Sequence, residues 1–223
     1  VGMCVNDLYT SGAKPLFFLD YYATSYLDEN QFKRVLSSIN EALSMISCSL
    51  LGGETAELPG LYHKGHFDLA GFVVGSVDKE NRMSPSYTEE SDLLYSFASN
   101  GFHSNGYSLL RKFLKEKPEL KTTELSDNLL RPTKVYHEIH TLFENLGKGV
   151  CHSACHVTGG GISGNLIRIL PEGLSAKISF EALQTPQWMK DFLLNFTDDL
   201  MEFESVFNMG SGMILAIKKD KKE

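Results

Sequence analysis

Pro15-Leu16-Phe17-Phe18-Leu19-Asp20 opens the stretch that decides the fold. Four apolar residues directly after a proline suit a short buried strand. Asp28 follows as an N-cap, with Gln31 three residues on to complete a capping box. Phe32, Val35, Leu36, Ile39, Leu43 and Ile46 then recur at helical spacing, which gives a helix with one buried face. Leu50-Leu51-Gly52-Gly53 reads as a second short strand that ends in a turn.

The same rhythm continues outward. Residues 68–77 are β-rich, interrupted by Gly71 and Gly75, and the polar stretch 78–92 with Pro85 fits a boundary. Beyond it, residues 93–98 predict a strand, 104–115 a helix and 133–146 a second helix. Gly159-Gly160-Gly161 opens a third helix, and strands are expected over 174–180 and 212–217. Mixed strand and helix in two units gives a fold class of α/β (α+β), with a first domain over 1–80, a linker over 81–92 and a second domain over 93–223. Only the Lys-rich tail at 218–222 is compositionally biased.

Bulk properties narrow the function. The 223 residues are 42% hydrophobic and carry a formal net charge of −7, so no basic stripe is available to track nucleic-acid phosphates. A small nucleotide is not excluded, because backbone N–H groups, helix N-termini and metal ions hold phosphates with little reference to global charge. No apolar run reaches the roughly 18 residues a spanning helix needs. Cys4, Cys48, Cys151 and Cys155 read as reduced thiols of a cytoplasmic protein. Val1-Gly2-Met3-Cys4 enters directly into apolar sequence and reads as a cut edge.

Four polar, glycine-marked clusters carry the candidate chemistry. Asn6-Asp7, followed by Gly12-Ala13-Lys14-Pro15, can present oxygen ligands to Mg²⁺; equally, it can form a capped turn. Gly52-Gly53-Glu54-Thr55-Ala56-Glu57 lets the backbone approach a ligand with two carboxylates just beyond. It can also be a solvated turn with acids in the first turn of a helix. His103-Ser104-Asn105-Gly106 lies at a helix start, where N–H groups and hydroxyls suit an anion and His103 can move a proton, although a lone histidine there can serve only as a cap. Thr158-Gly159-Gly160-Gly161 is a phosphate-type cradle, since three glycines carry a large ordering cost that persists where the backbone has a special task. There is no Walker-type loop. Cys151-His152-Ser153-Ala154-Cys155-His156 is set aside as a metal motif, because its spacing is wrong and alternate strand residues face opposite sides.

The four clusters, in this order, resemble the AIR synthetase (phosphoribosylformylglycinamidine cyclo-ligase) family across nearly the whole chain. Asn6-Asp7 through Pro15 is similar to the Asp-xxxx-Gly-Ala-x-Pro signature of a wider ATP-binding superfamily that includes selenophosphate synthetase and thiamine-monophosphate kinase. The strings 16–21, 52–60, 103–109 and 156–161 resemble the cyclo-ligase in particular. The resemblance implies an ATP-dependent closure of formylglycinamidine ribonucleotide to aminoimidazole ribonucleotide through an iminophosphate, in purine biosynthesis. It implies ATP and Mg²⁺ as cofactors and a homodimer with its active site in an interdomain cleft completed by the partner. Asp7 and Glu54 are then metal ligands, and Asn6, Gly52, Gly53 and Thr55 lie at the nucleotide. Asp7 and His103 handle protons, and Ser104, Asn105, Thr158, Gly159, Gly160 and Gly161 hold the substrate.

The family also has an upstream glycine-rich loop, a lysine and an Asp-Gly-Val-Gly-Thr-Lys stretch that this sequence does not contain. Its N-terminal domain is therefore expected to be incomplete, and Gly164 replaces a Glu common before Asn165. The alternatives are another phosphoryl-transferring superfamily member, or a truncated, inactive chain that only binds.

Overall fold

The computed structural model describes residues 1–219; residues 220–222 of the Lys-rich tail lie outside the described residues. The chain forms two compact units, residues 1–82 with 135–142, and residues 83–134 with 143–223.

In the first unit, β1 (Lys14–Thr24) is the central strand of a three-stranded sheet. It pairs in parallel with β2 (Ser49–Glu57) and antiparallel with β3 (Phe67–Ser76). The parallel pair needs a crossover, and α2 (Glu29–Ser44) supplies it. Asp28 caps α2 as expected, its carboxylate accepting from the Asn30 and Gln31 amides at 2.9 and 3.0 Å. Ile39, Leu43 and Ile46 face inward and pack with Phe18, Leu50 and Val73 of the sheet and with Val5 and Tyr9 of α1 (Gly2–Tyr9). Leu43 is fully buried, which contributes roughly 2 kcal/mol.

The second unit holds a sheet in the order β4 (Leu93–Ala98), β6 (Ser211–Ile217), β5 (Cys151–His156), antiparallel throughout. Helices α3 (Tyr107–Glu116), α4 (Thr123–Leu129), α6 (Gly161–Leu166) and α7 (Gln187–Leu193) accompany it. Phe102, Phe113, Phe192, Phe203 and Phe207 form the centre of its core. α5 (Glu138–Leu146) begins in the segment 135–142 that belongs to the first unit.

Several elements differ from the sequence reading. Gly52 and Gly53 do not end a strand; β2 runs through them to Glu57. The helix expected from Ser104 starts at Tyr107, because Gly106 caps it in a left-handed conformation (φ 78°). The helix expected from Thr133 starts at Glu138. Residues 174–180 form no strand; Ala176, Ile178 and Phe180 pack against the core without a ladder partner. No helix among the described residues is long and apolar enough to cross a membrane.

Candidate functional site

In the first unit, the expected metal and nucleotide residues fall on two elements. α1 carries Asn6 and Asp7 and packs against β1 and β3, whereas Gly52, Gly53, Glu54 and Thr55 lie on β2 at the other edge of the sheet. Asp7 and Glu54 are exposed. Glu54 folds one oxygen back onto the Thr55 amide at 2.9 Å. Asn6 is completely buried, and its Oδ1 accepts from the Tyr136 amide at 3.1 Å, so this side chain tethers the segment 135–142 to α1.

The two glycines of β2 have different reasons. A Cβ on Gly53 would lie 2.3 Å from Oδ1 of Asp20 and 2.4 Å from its carbonyl oxygen, so glycine is what lets β2 pass this side chain. A Cβ on Gly52 would meet nothing within 4 Å, which leaves open space above the strand. Asp20 itself is 8% exposed; burial raises its carboxyl above the usual carboxylate range, and its own backbone hydrogen bond offsets part of that. This third carboxylate was missed in the sequence because its apolar neighbours mark it as core. Asp20 pairs with Gly53 and Glu54 with Tyr21, so their carboxylates face opposite sides of the sheet, and Asp7, Asp20 and Glu54 do not form one ligand cluster among the described residues.

In the second unit, the glycine-marked turns are held by packing. Phe102 is 2% exposed and its ring lies 4.7 Å from Phe207 and 5.5 Å from Trp188. That anchor fixes the next residue, His103, in a left-handed conformation (φ 58°) with 3% exposure. A non-glycine residue there is strained, and such strain concentrates at functional sites. The imidazole pKa is lowered to about 4, chiefly by burial, then by His156 and Lys134. His103 is therefore neutral at pH 7 and able to accept a proton.

Ser104 hydrogen-bonds Thr133 (2.7 Å), and Asn105 lies beside the triple-glycine turn, with its Oδ1 3.7 Å from where a Cβ of Gly159 would be. The Asn105 Nδ2 is buried without a hydrogen-bond partner. Orphaned buried donors are rare, and one at a polar turn suits an acceptor on a ligand.

The Thr158–Gly161 turn is braced by Asn165, which follows Gly164 at the end of the same cluster and had no role assigned from the sequence. Its Nδ2 donates to the carbonyls of Thr158, Gly159 and Gly161 at 3.3, 3.2 and 2.7 Å, and Thr158 Oγ1 donates to its Oδ1 at 3.3 Å. Glu204 was unforeseen. Its carbonyl accepts from the Ile162 amide at 3.0 Å, and its carboxylate accepts from the Ser163 hydroxyl at 3.0 Å and amide at 3.4 Å. An acid therefore sits at the start of α6 although position 164 is glycine. Asn208 ties the His103 turn to the approach to β6, donating to the Gly101 carbonyl at 2.9 Å and accepting from Ser99 at 3.2 Å. The Asn208-Met209-Gly210-Ser211-Gly212 run was the available signal for it. All four cysteines are free thiols, and burial pushes Cys151 and Cys155 up to about 12.

Residues 1–77 match the AIR synthase related protein N-terminal domain, and residues 89–223 match the C-terminal domain of the same family. The chain belongs to the AIR synthase related protein family. Solved structures agree in fold. A thiamine-monophosphate kinase from Stenotrophomonas maltophilia K279a superposes with a TM-score of 0.70 at 17% identity, covering 98% of this chain and 66% of that one. The hydrogenase maturation protein HypE gives 0.66 at 15% identity, covering 98% and 64%. AaThiL complexed with AMPPCP and TMP gives 0.65 at 17% identity, covering 95% and 64%. The chain thus spans about two thirds of the length of these proteins. The AIR-synthetase-like two-domain α/β fold is the one expected from the sequence.

Proposed function

We propose that this chain forms most of an ATP-dependent cyclo-ligase that closes formylglycinamidine ribonucleotide to aminoimidazole ribonucleotide, a step of purine biosynthesis. The observation that carries this reading is the second unit's polar turn. It sets a buried, neutral His103 two residues from Asn105, whose buried amide lacks an acceptor, beside a glycine turn able to take a phosphate. Family membership and the cyclo-ligase-like strings at 16–21, 52–60, 103–109 and 156–161 support it. ATP, when bound, supplies the phosphoryl group that turns the amide oxygen into a leaving group. Asp7 and Glu54 would hold Mg²⁺, with Asn6, Gly52, Gly53 and Thr55 flanking the nucleotide. Asn6 would act there through the buried amide that positions α1. Ser104, Asn105 and the Thr158–Gly161 turn would orient the substrate. Asp7 and His103 would handle protons, with His103 Nδ1 or Nε2 taking one from the attacking amidine nitrogen.

Kinship with structures of a kinase bound to AMPPCP favours one other reading, phosphoryl transfer to a different substrate. Assaying ADP release by the complete protein separates the two. Release that depends on formylglycinamidine ribonucleotide supports ring closure. Release that depends on thiamine monophosphate instead supports the kinase reading, and nucleotide binding without turnover supports a binding-only chain. In the active protein, Asp7→Asn should lower turnover well over tenfold, the scale of a lost charge at a phosphoryl-transfer centre; a near-normal rate would remove Asp7 from the site.

The homodimer is proposed on the first unit's sheet. Phe18 and Val73 face the helices, so by strand alternation Phe72 and Val74 lie on the other side, and Leu51, at the irregularity in the β1–β2 register, is exposed as well. Those three are 65%, 43% and 65% exposed, an apolar surface that suits burial against a second copy. Phe72→Glu should convert a dimer to a monomer in light scattering after size exclusion; equal masses for both proteins would rule this face out.

A further inference from the structure

Away from these turns, the second unit brings together three ligating side chains from distant parts of the sequence. Asp92 lies just before β4, and His152 lies on β5, 60 residues later. The Asp92 side chain is 2% exposed. Its Oδ2 accepts from the Glu89 amide at 2.9 Å and lies 2.8 Å from His152 Nδ1. Its Oδ1 is also buried and has no hydrogen-bond partner. Glu89, exposed on the preceding turn, offers a carboxylate oxygen, and one ligand atom from each of the three residues lies within 4.8 Å of the others. Glu89 and Asp92 line a cavity of about 570 Å³, together with Thr88, Leu93 and Lys177.

A hydrogen bond between Asp92 and His152 explains Oδ2 and the position of the imidazole. It explains neither the orphaned Oδ1 nor a second carboxylate within 4.8 Å of the first, since two like charges at that distance repel. Lys177 lines the same cavity but forms no ion pair with either acid. We propose that Glu89, Asp92 and His152 bind a divalent transition-metal cation, with the cavity leaving its remaining positions open to water or a small ligand. One imidazole and two carboxylates suit Zn²⁺, Co²⁺ or Mn²⁺, whereas Mg²⁺ and Ca²⁺ favour all-oxygen sets. On binding, His152 would exchange its hydrogen bond to Asp92 for the metal. The cation would then staple the turn before β4 to β5, at opposite edges of the sheet. It shares no residue with the Mg²⁺ ligands proposed above, Asp7 and Glu54, and it does not depend on the proposed ring closure.

The test uses the full 223-residue chain, stripped with chelator and titrated with Co²⁺ by calorimetry and visible absorption, on an Asp7→Asn background. One equivalent should bind with a spectrum free of thiolate charge transfer. Glu89→Gln, an exposed position that leaves the core intact, should weaken binding by about tenfold or more, and His152→Gln should abolish it. At equal metal concentration, the melting temperature should rise less in Glu89→Gln than in the parent chain. Equal affinity in the parent and Glu89→Gln, a thiolate-dominated spectrum, or no binding at millimolar Co²⁺ would overturn the site and leave Asp92 and His152 as a structural pair.

Discussion

His103→Asn should abolish most turnover while leaving the fold intact. Asparagine is among the few residues that tolerate the left-handed backbone His103 adopts, so the substitution removes the imidazole without adding strain. Loss of a general acid–base group lowers rates by roughly 10²–10⁴-fold. A Val at this position should also destabilise the protein, because a β-branched residue resists φ near +58°. The pH behaviour is a second readout. With its pKa lowered to about 4, His103 stays neutral through the range where an ordinary histidine titrates, so the acid limb of kcat/KM should lie near pH 4 and not near 6.5.

Stability follows by linkage. Between about pH 4 and 6.5 the unfolded chain binds a proton at this residue that the folded chain does not, so the folded state loses stability as pH falls through that window. From pH 7 to 5 the loss should be roughly 2 kcal/mol in the parent protein, and His103→Asn should lack it. Urea midpoints at the two pH values measure this. A rate near normal in His103→Asn would take the imidazole out of the chemistry. An unchanged pH dependence of stability would show that it is not buried as described.

The parts of the fold legible in the sequence were those with local signals. α2 announced itself through its N-cap and its 3.6-residue apolar period, and Asp28 does cap it. Residues 174–180 misled for a physical reason. Leu174, Ala176, Ile178 and Phe180 alternate as a strand would, but alternation reports only which side chains are buried, and these bury theirs with no neighbouring strand to pair with. Gly52-Gly53 misled because a glycine pair usually marks a turn. Here Gly53 is required inside an extended strand by Asp20, 33 positions earlier on the adjacent strand. The candidate site divides in the same way. Its glycine turns are contiguous and could be read. Asn6 against Tyr136, Glu204 against Ser163 and Asp92 against His152 are contacts across 130, 41 and 60 positions, and no window of sequence contains both partners.

The triple glycine shows how much the structure refines a motif, and it yields the second large expected effect. Gly161→Ala should cost several kcal/mol. Gly161 has φ +61°, and a Cβ would lie 1.8 Å from the Glu204 carbonyl oxygen and 2.7 and 2.9 Å from the carbonyl carbons of Glu204 and Ser205. These are backbone atoms, so no side-chain rotation relieves the overlap. Glu204 cannot simply retreat, because it accepts from the Ile162 amide and from Ser163. Left-handed strain of about 1–2 kcal/mol, with two or three weakened hydrogen bonds at about 1 kcal/mol each, gives a total of roughly 3–5 kcal/mol. Gly164→Ala is the control: it is helical with nothing within 4 Å of a new Cβ, and it should be neutral or stabilising by up to about 1 kcal/mol. Urea unfolding of the two variants decides the matter, and a Gly161→Ala loss below about 1 kcal/mol would contradict the packing against Glu204. The three glycines thus have separate tasks. Gly161 lets Glu204 close over the start of α6, and Gly160 supplies a left-handed turn (φ 94°). Gly159 has only the Asn105 amide oxygen nearby, so a ligand phosphate should be sought beside Gly159 and Asn105 and not at the helix start that Glu204 already occupies.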